Sequence, residues 1–238
     1  MFKIRVAGLT VEVNNLYDVT REECSDYIIE DDAPVDLMIG GDEAAVQQAQ
    51  QWFIDEEGVA VTPGEAEFAC IAHPLYPQLP RFDALWLHAA VLEMEGGAYA
   101  FTAPSGYGKS THAKLWLEAF GEKTRIINGD NPILREADGV FLAYGTPFCG
   151  KEGYQVNTGV PLKGICFLQH AEENSIARID PIKAFSLLFR NNTRITPDTL
   201  DAHLVMYERL ASSVPVYVLY CNMALDAAHV AWEGMKPQ

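Results

Sequence analysis

Ala98-Tyr-Ala-Phe-Thr-Ala-Pro-Ser-Gly-Tyr-Gly-Lys-Ser-Thr-His-Ala-Lys-Leu-Trp-Leu117 is the stretch whose reading decides the fold. Its first five residues, Ala98 to Thr102, form an apolar run of strand length. Ala103-Pro-Ser-Gly-Tyr-Gly-Lys-Ser110 follows, and then a helical pattern with Ala113, Leu115, Trp116, Leu117 and Phe120 as its apolar positions. A strand, a glycine-containing turn and Lys-Ser at a helix start are the context in which a phosphate-binding loop occurs. The residue types suit that chemistry. Gly106 and Gly108 let backbone N–H groups approach an anion without a Cβ in the way, and the helix N-terminus adds its positive end. Lys109 is placed to reach β- and γ-phosphates, and the Ser110 hydroxyl to ligate Mg²⁺. Ser105, Tyr107 and Thr111 complete the candidate nucleotide-binding segment. The general pattern has glycine at its first position, where this chain has Ala103.

Working outward, 238 residues of which 49% are hydrophobic suffice for one large α/β domain with a small appendage. The formal net charge of −16 sets nucleic acid and anionic membranes aside as partners, because the field repels both. A phosphate ligand must then be held by local cations and backbone amides. The five cysteines are dispersed, without a C-x-x-C pair, which fits a reducing cytoplasm. No apolar segment approaches the roughly 18 residues of a membrane span. A cytoplasmic protein is expected.

The region before the loop reads as a small α+β unit, residues 1–80, ahead of a nucleotide-binding domain at 81–238. Residues 2–14 predict a hairpin about Ala7-Gly8, and Ile28-Ile29 and Val35–Ile39 two short strands. Asp42 caps a helix to Phe53. Thr62-Pro-Gly-Glu65 carries a capping-box signature for a helix running towards His73. The prolines at 74, 77 and 80 mark the boundary. Ala84–Leu92 reads as one continuous strand, paired through Glu95-Gly-Gly97 with the loop-bearing strand. His88, near the end of that strand, is carried towards the loop and is a candidate catalytic residue.

Beyond the loop helix, Thr124–Asn128 is a short strand that ends at Asp130, where a metal ligand or a base is expected. Hairpin signals flank Ala137-Asp-Gly139. Gly145-Thr-Pro-Phe-Cys-Gly-Lys-Glu-Gly153 is a second informative loop, whose Lys151 is placed to close over a transferring phosphoryl group. Cys149 reads as structural. Val160 to Gln169 and Val214 to Cys221 are strands, and 181–189, 199–211 and 225–232 helices. Arg190 and Arg194, four apart at a helix end, suit phosphate or carboxylate recognition.

His88 before the loop, Ser105-Gly-Tyr-Gly-Lys-Ser-Thr111 in it, and Asn128-Gly-Asp130 after it together resemble the HPr kinase/phosphorylase and ATP-dependent phosphoenolpyruvate carboxykinase group. The 145–153 segment is similar to its small carboxykinase-like branch. The resemblance covers 84–170 best. It implies a P-loop kinase core on a mixed, strongly twisted sheet, with ATP and Mg²⁺, His88 near the γ-phosphate, and Asp130 as metal ligand or base for an acceptor hydroxyl. Those kinases have two consecutive acids where this chain has Gly129-Asp130, and their HPr-docking C-terminal region is not recognisable here. The implied activity is a Mg·ATP-dependent phosphotransferase acting on a hydroxyl of a small molecule or a peptide Ser/Thr, with oligomeric state open and a homo-oligomer among the options. Two alternatives stand beside it: a nucleotide-binding regulatory module without turnover, and a carboxykinase-type reaction using Arg190 or Arg194.

Overall fold

The computed structural model describes residues 1–191 and 194–236, which form two compact units, Met1–Gln78 and Leu79–Gln238. In the first, β1 (Phe2–Val6) and β2 (Leu9–Asn14) are an antiparallel hairpin turned at Ala7-Gly8. Next come α1 (Asp18–Glu23), β3 (Ile28–Ile29), β4 (Leu37–Gly40), α2 (Glu43–Glu57) and α3 (Pro63–Cys70). The strands form one sheet in the order β3-β1-β2-β4. Asp42 caps α2 through Ala44 N–H, and Thr62 with Glu65 makes the capping box of α3. Helix α1 carries no apolar stripe that sequence would reveal. The fully buried Glu67 carboxylate secures its start, accepting from Leu16 N at 2.6 Å, Tyr17 N at 3.1 Å and Thr20 Oγ1 at 2.6 Å.

The second unit opens with β5 (Ala84–Trp86), β6 (Ala89–Met94) and β7 (Gly97–Thr102), followed by α4 (Lys109–Phe120). Then come β8 (Thr124–Asn128), β9 (Ile133–Ala137), β10 (Val140–Tyr144), β11 (Gly159–His170) and β12 (Ser175–Arg178). The chain ends with α5 (Pro181–Arg190), α6 (Leu200–Ser213), β13 (Val216–Cys221) and α7 (Asp226–Met235). Among the described residues the sheet has nine strands, and only the β7–β11 and β11–β13 pairs are parallel. The fold is thus mixed α/β on a mixed sheet. The twelve residues of β11 link its two parts: Gly159–Pro161 pair with β10, and the remainder runs between β7 and β13.

Alternation along the strands sorts side chains to two helical layers. Ala98 and Ala100 of β7 join Leu188 of α5 and Tyr207 and Leu210 of α6 on one face. Tyr99 and Phe101 join Trp116 of α4 and Ala231 and Trp232 of α7 on the other.

The single strand expected over 84–92 is instead two. Leu87 N–H bonds to the Pro132 carbonyl at 3.3 Å, and Ala89 N–H to the Asp130 carbonyl at 3.0 Å. Between them the chain leaves β9, the partner of β5, and enters the β7–β6–β8 ladder. Both halves are apolar because both are buried, so composition alone hides the break. Helix α3 also stops at Cys70, short of His73.

Candidate functional site

One sheet edge collects the chemistry. Strand β6 runs antiparallel to both β7 and β8, with Ala89 opposite Thr102 and Val91 opposite Asn128. Hence the start of β6 and the ends of its two neighbours lie together. His88 precedes β6, Ala103 follows β7 and Asp130 follows β8, so three segments separated in sequence meet there.

The turn between β7 and α4 adopts left-handed backbone at Gly106 (φ 74°) and Gly108 (φ 95°), a region in which a Cβ is strained. Ala103 has no such conformation, and its side chain packs in the layer of Phe101 and Ala113. The departure from glycine at this position therefore carries no backbone penalty. Lys109 opens α4 almost fully buried, and its Nζ donates to the Ala103 carbonyl at 3.1 Å, closing the turn into a ring. Burial pulls the Lys109 ammonium below its usual range, and the Asp130 charge opposes that shift. Ser110 is half-buried, while Ser105, Gly106, Tyr107 and Thr111 are exposed. Tyr107 stacks on His170 at 4.5 Å between ring centroids, and His170 Nε2 lies 3.2 Å from the Tyr107 carbonyl.

His88 Nε2 stands 3.0 Å from Asp130 Oδ1. Asn131 Nδ2 donates to Asp130 Oδ2 at 2.8 Å. Burial acts most strongly on the Asp130 carboxyl and pushes it up. The bond and charge of His88, the charge of Lys109 and the Asn131 bond outweigh that and hold it below the ordinary range. Asp130 is therefore an anion at neutral pH.

Three further residues hold this pair: Asn128, which the sequence reading quotes in a motif without a role, and Trp86 and Asn131, which it did not single out. Asn128, fully buried, accepts from Asp130 N–H at 2.9 Å and Asn131 N–H at 2.8 Å, and donates to the Thr146 carbonyl at 3.0 Å. Trp86 Nε1 donates to Asn131 Oδ1 at 2.8 Å while its ring stacks on His88, 6.2 Å apart and 6° from parallel. Trp86, Asn131, Asp130 and His88 thus form a closed circuit. Tryptophan and asparagine 45 positions apart give no local signal. The Asn-Gly-Asp-Asn run did offer one for Asn128, since a side-chain oxygen accepting from N–H groups two and three residues on is a common turn device.

The 145–153 loop lies against this centre. A Cβ on Gly150 (φ 79°) would sit 3.0 Å from Asp130 Cβ. Lys151 follows it on an exposed turn. A Cβ on Gly129 would come within 3.0 Å of the Cys149 carbonyl oxygen, and Gly129 N–H bonds to the Tyr154 carbonyl at 2.9 Å. Loop backbone therefore crowds any side chain at position 129. Cys149 itself is buried.

Of the two arginines, Arg194 approaches the edge of the site, its guanidinium carbon 5.8 Å from the Trp86 ring centre. Arg190 is exposed at the end of α5. Asn192 and Thr193 between them lie outside the described residues. Among the described residues no three His, Cys, Asp or Glu side chains are grouped to hold a metal ion. Nor, among the described residues, is any helix long and apolar enough to cross a membrane.

No curated protein matches this chain. A solved structure, the Hpr(Ser) kinase/phosphatase from Coxiella burnetii, aligns over 63% of this chain and 89% of its own, at 12% identity and a TM-score of 0.37, a distant likeness. Residues 66–233, well over half of the sequence and including the whole His88–Asp130 centre with its glycine turn, match one family, and the chain belongs to it: the family described as SynChlorMet cassette protein ScmC.

Proposed function

We propose that this chain is a Mg·ATP-dependent phosphotransferase acting on a hydroxyl group, of a small molecule or of a peptide Ser or Thr. The observation that carries the reading is the His88–Asp130 pair, 3.0 Å apart, at the same sheet edge as the turn that buries Lys109. An anionic carboxylate paired with an imidazole beside a cationic anion cradle is what transfer of a phosphoryl group to a hydroxyl requires.

In this reading the N–H groups of Gly106 to Lys109 receive the β- and γ-phosphates, and Lys109 Nζ exchanges the Ala103 carbonyl for phosphate oxygen. The acceptor oxygen bonds to the γ-phosphorus as its proton passes to the Asp130 carboxylate and the bond to the β-phosphate oxygen breaks to release ADP, with His88 oriented by Oδ1. Lys151, beside Gly150, adds positive charge where negative charge develops. Catalysis is then mostly positioning and electrostatics. Ser110 and Asp130 supply hard oxygen donors suited to Mg²⁺, an ion that keeps water and phosphate as its other ligands. Its chemistry there is neutralisation of phosphate charge.

A nucleotide-binding module without turnover is the second reading, favoured by glycine rather than an acid at position 129, where loop backbone crowds a side chain. Asp130→Asn separates the two. The phosphotransferase loses ATP turnover by about 10²–10⁴-fold while still binding nucleotide at the glycine turn. Turnover equal to wild type in Asp130→Asn would overturn the assignment, and a wild type that binds but never turns over supports the regulatory module.

A further inference from the structure

A cavity of the second unit lies at the end of the sheet opposite the glycine turn. It measures about 690 Å³ and is lined by Lys163, Arg178, Tyr217, Met235 and Lys236 among others, with no carboxylate in its wall among the described residues. Strands β7 and β13 begin there, each parallel to β11, with Leu162 opposite Ala98 and Ile165 opposite Val216. The glycine turn follows the other end of β7, about 17 Å away for a strand of this length.

Three features show how the fold gathers cations at this spot. Leu162 pairs with Ala98 and Gly164 with Tyr99, so Lys163 is an extra residue, bulged out of the ladder. Bulges re-aim a side chain. A Cβ at Gly97 would lie 2.5 Å from Lys163 Cγ, so the glycine leaves the lysine its path. Arg178 stands opposite Tyr217 in the β12–β13 ladder, and its charge draws the phenol down against the larger upward effect of burial. Lys236 completes the group, with an exposed Glu233 partner at 2.6 Å that competes weakly.

In a chain of net charge −16, three cations around a cavity whose described lining holds no carboxylate are a concentrated exception. The volume is in the range that encloses a small organic molecule. Two lysines and an arginine fork match a multiply charged anion, and phosphate oxygens suit the fork best.

We propose that this cavity is a second anion site, separate from the glycine turn, that takes a small phosphate-bearing molecule between Lys163, Arg178 and Lys236. It stands whether or not the turn binds nucleotide.

The test titrates inorganic pyrophosphate calorimetrically into full-length Lys109→Ala protein, in which the turn is weakened, and follows backbone amide shifts in both that variant and wild type. The expected result is one pyrophosphate per chain with shifts at Gly97, Gly164 and Tyr217. Lys163→Met/Arg178→Met, both at exposed positions, should weaken it by about tenfold or more without altering thermal stability. Citrate titrated in parallel should bind more weakly. Absence of saturable binding up to about 5 mM, binding that the double variant leaves unchanged, or shifts confined to residues 103–111 would each overturn the site. Citrate binding as tight as that of pyrophosphate would overturn the phosphate assignment.

Discussion

Acid should loosen the helix behind the glycine turn through one residue, His112. It lies in the buried face of α4, 4.6 Å from the Phe101 ring, and its Nε2 accepts from Trp116 Nε1 at 3.1 Å. An Nε2 that accepts leaves the proton on Nδ1, so the folded ring is neutral. Burial drives its pKa from 6.5 to about 4. The folded value is depressed, so the stability it contributes is complete above about pH 6.5, declines below it, and is gone once pH has passed below about 4. The full difference corresponds to about 3 kcal/mol, of which about 2 kcal/mol is lost by pH 5. Urea unfolding of wild type and His112→Gln at pH 7, 6 and 5 isolates this, since Gln keeps an acceptor for Trp116 and the carboxylates titrate alike in both. The stability gap between the proteins should shrink by about 2 kcal/mol from pH 7 to 5. Amide exchange along Lys109–Phe120 should accelerate in wild type over the same range. A gap that stays constant with pH would refute the assignment of a buried neutral imidazole.

Asn128→Ala removes a fully buried side chain that serves Asp130 N–H, Asn131 N–H and the Thr146 carbonyl. It should cost about 2–4 kcal/mol in urea unfolding, and a loss below about 1 kcal/mol would show that these bonds are not what holds the turn. Gly129→Asp forces a side chain against the Cys149 carbonyl, 3.0 Å from the new Cβ. It should destabilise by about 1–3 kcal/mol by the same assay, and a neutral substitution would mean that the space for a second acid is open after all.

Much of the site was legible because it is local. Residues 97–120 spell a strand, a turn and a helix in consecutive sequence, and the φ values at Gly106 and Gly108 show why glycine stands at both. Three hairpins were equally readable from Ala7-Gly8, Glu95-Gly96 and Asp138-Gly139, all of which have both residues at positive φ, the geometry that matches strand twist. What escaped is what depends on distant partners. The break at Leu87-His88 is made by carbonyls of Pro132 and Asp130, more than 40 positions on. Strand β12 is four residues long and mostly exposed, and it gains its place by pairing with β13. Trp86 looked like one more apolar residue in a buried run, yet its indole N–H and ring face fix both Asn131 and His88. The bulge at Lys163 follows from a register between β11 and β7 that no stretch of sequence records.

The central claim is that the turn at 103–110 holds the phosphates of Mg·ATP, with Lys109 as its cation. Calorimetric titration of Mg·ATP into wild type and Lys109→Ala tests it most directly. The account predicts one saturable site in wild type and a loss of about 10–100-fold in affinity when the buried ammonium is removed. Wild type that shows no saturable binding, or a Lys109→Ala protein that binds as tightly as wild type, would contradict it.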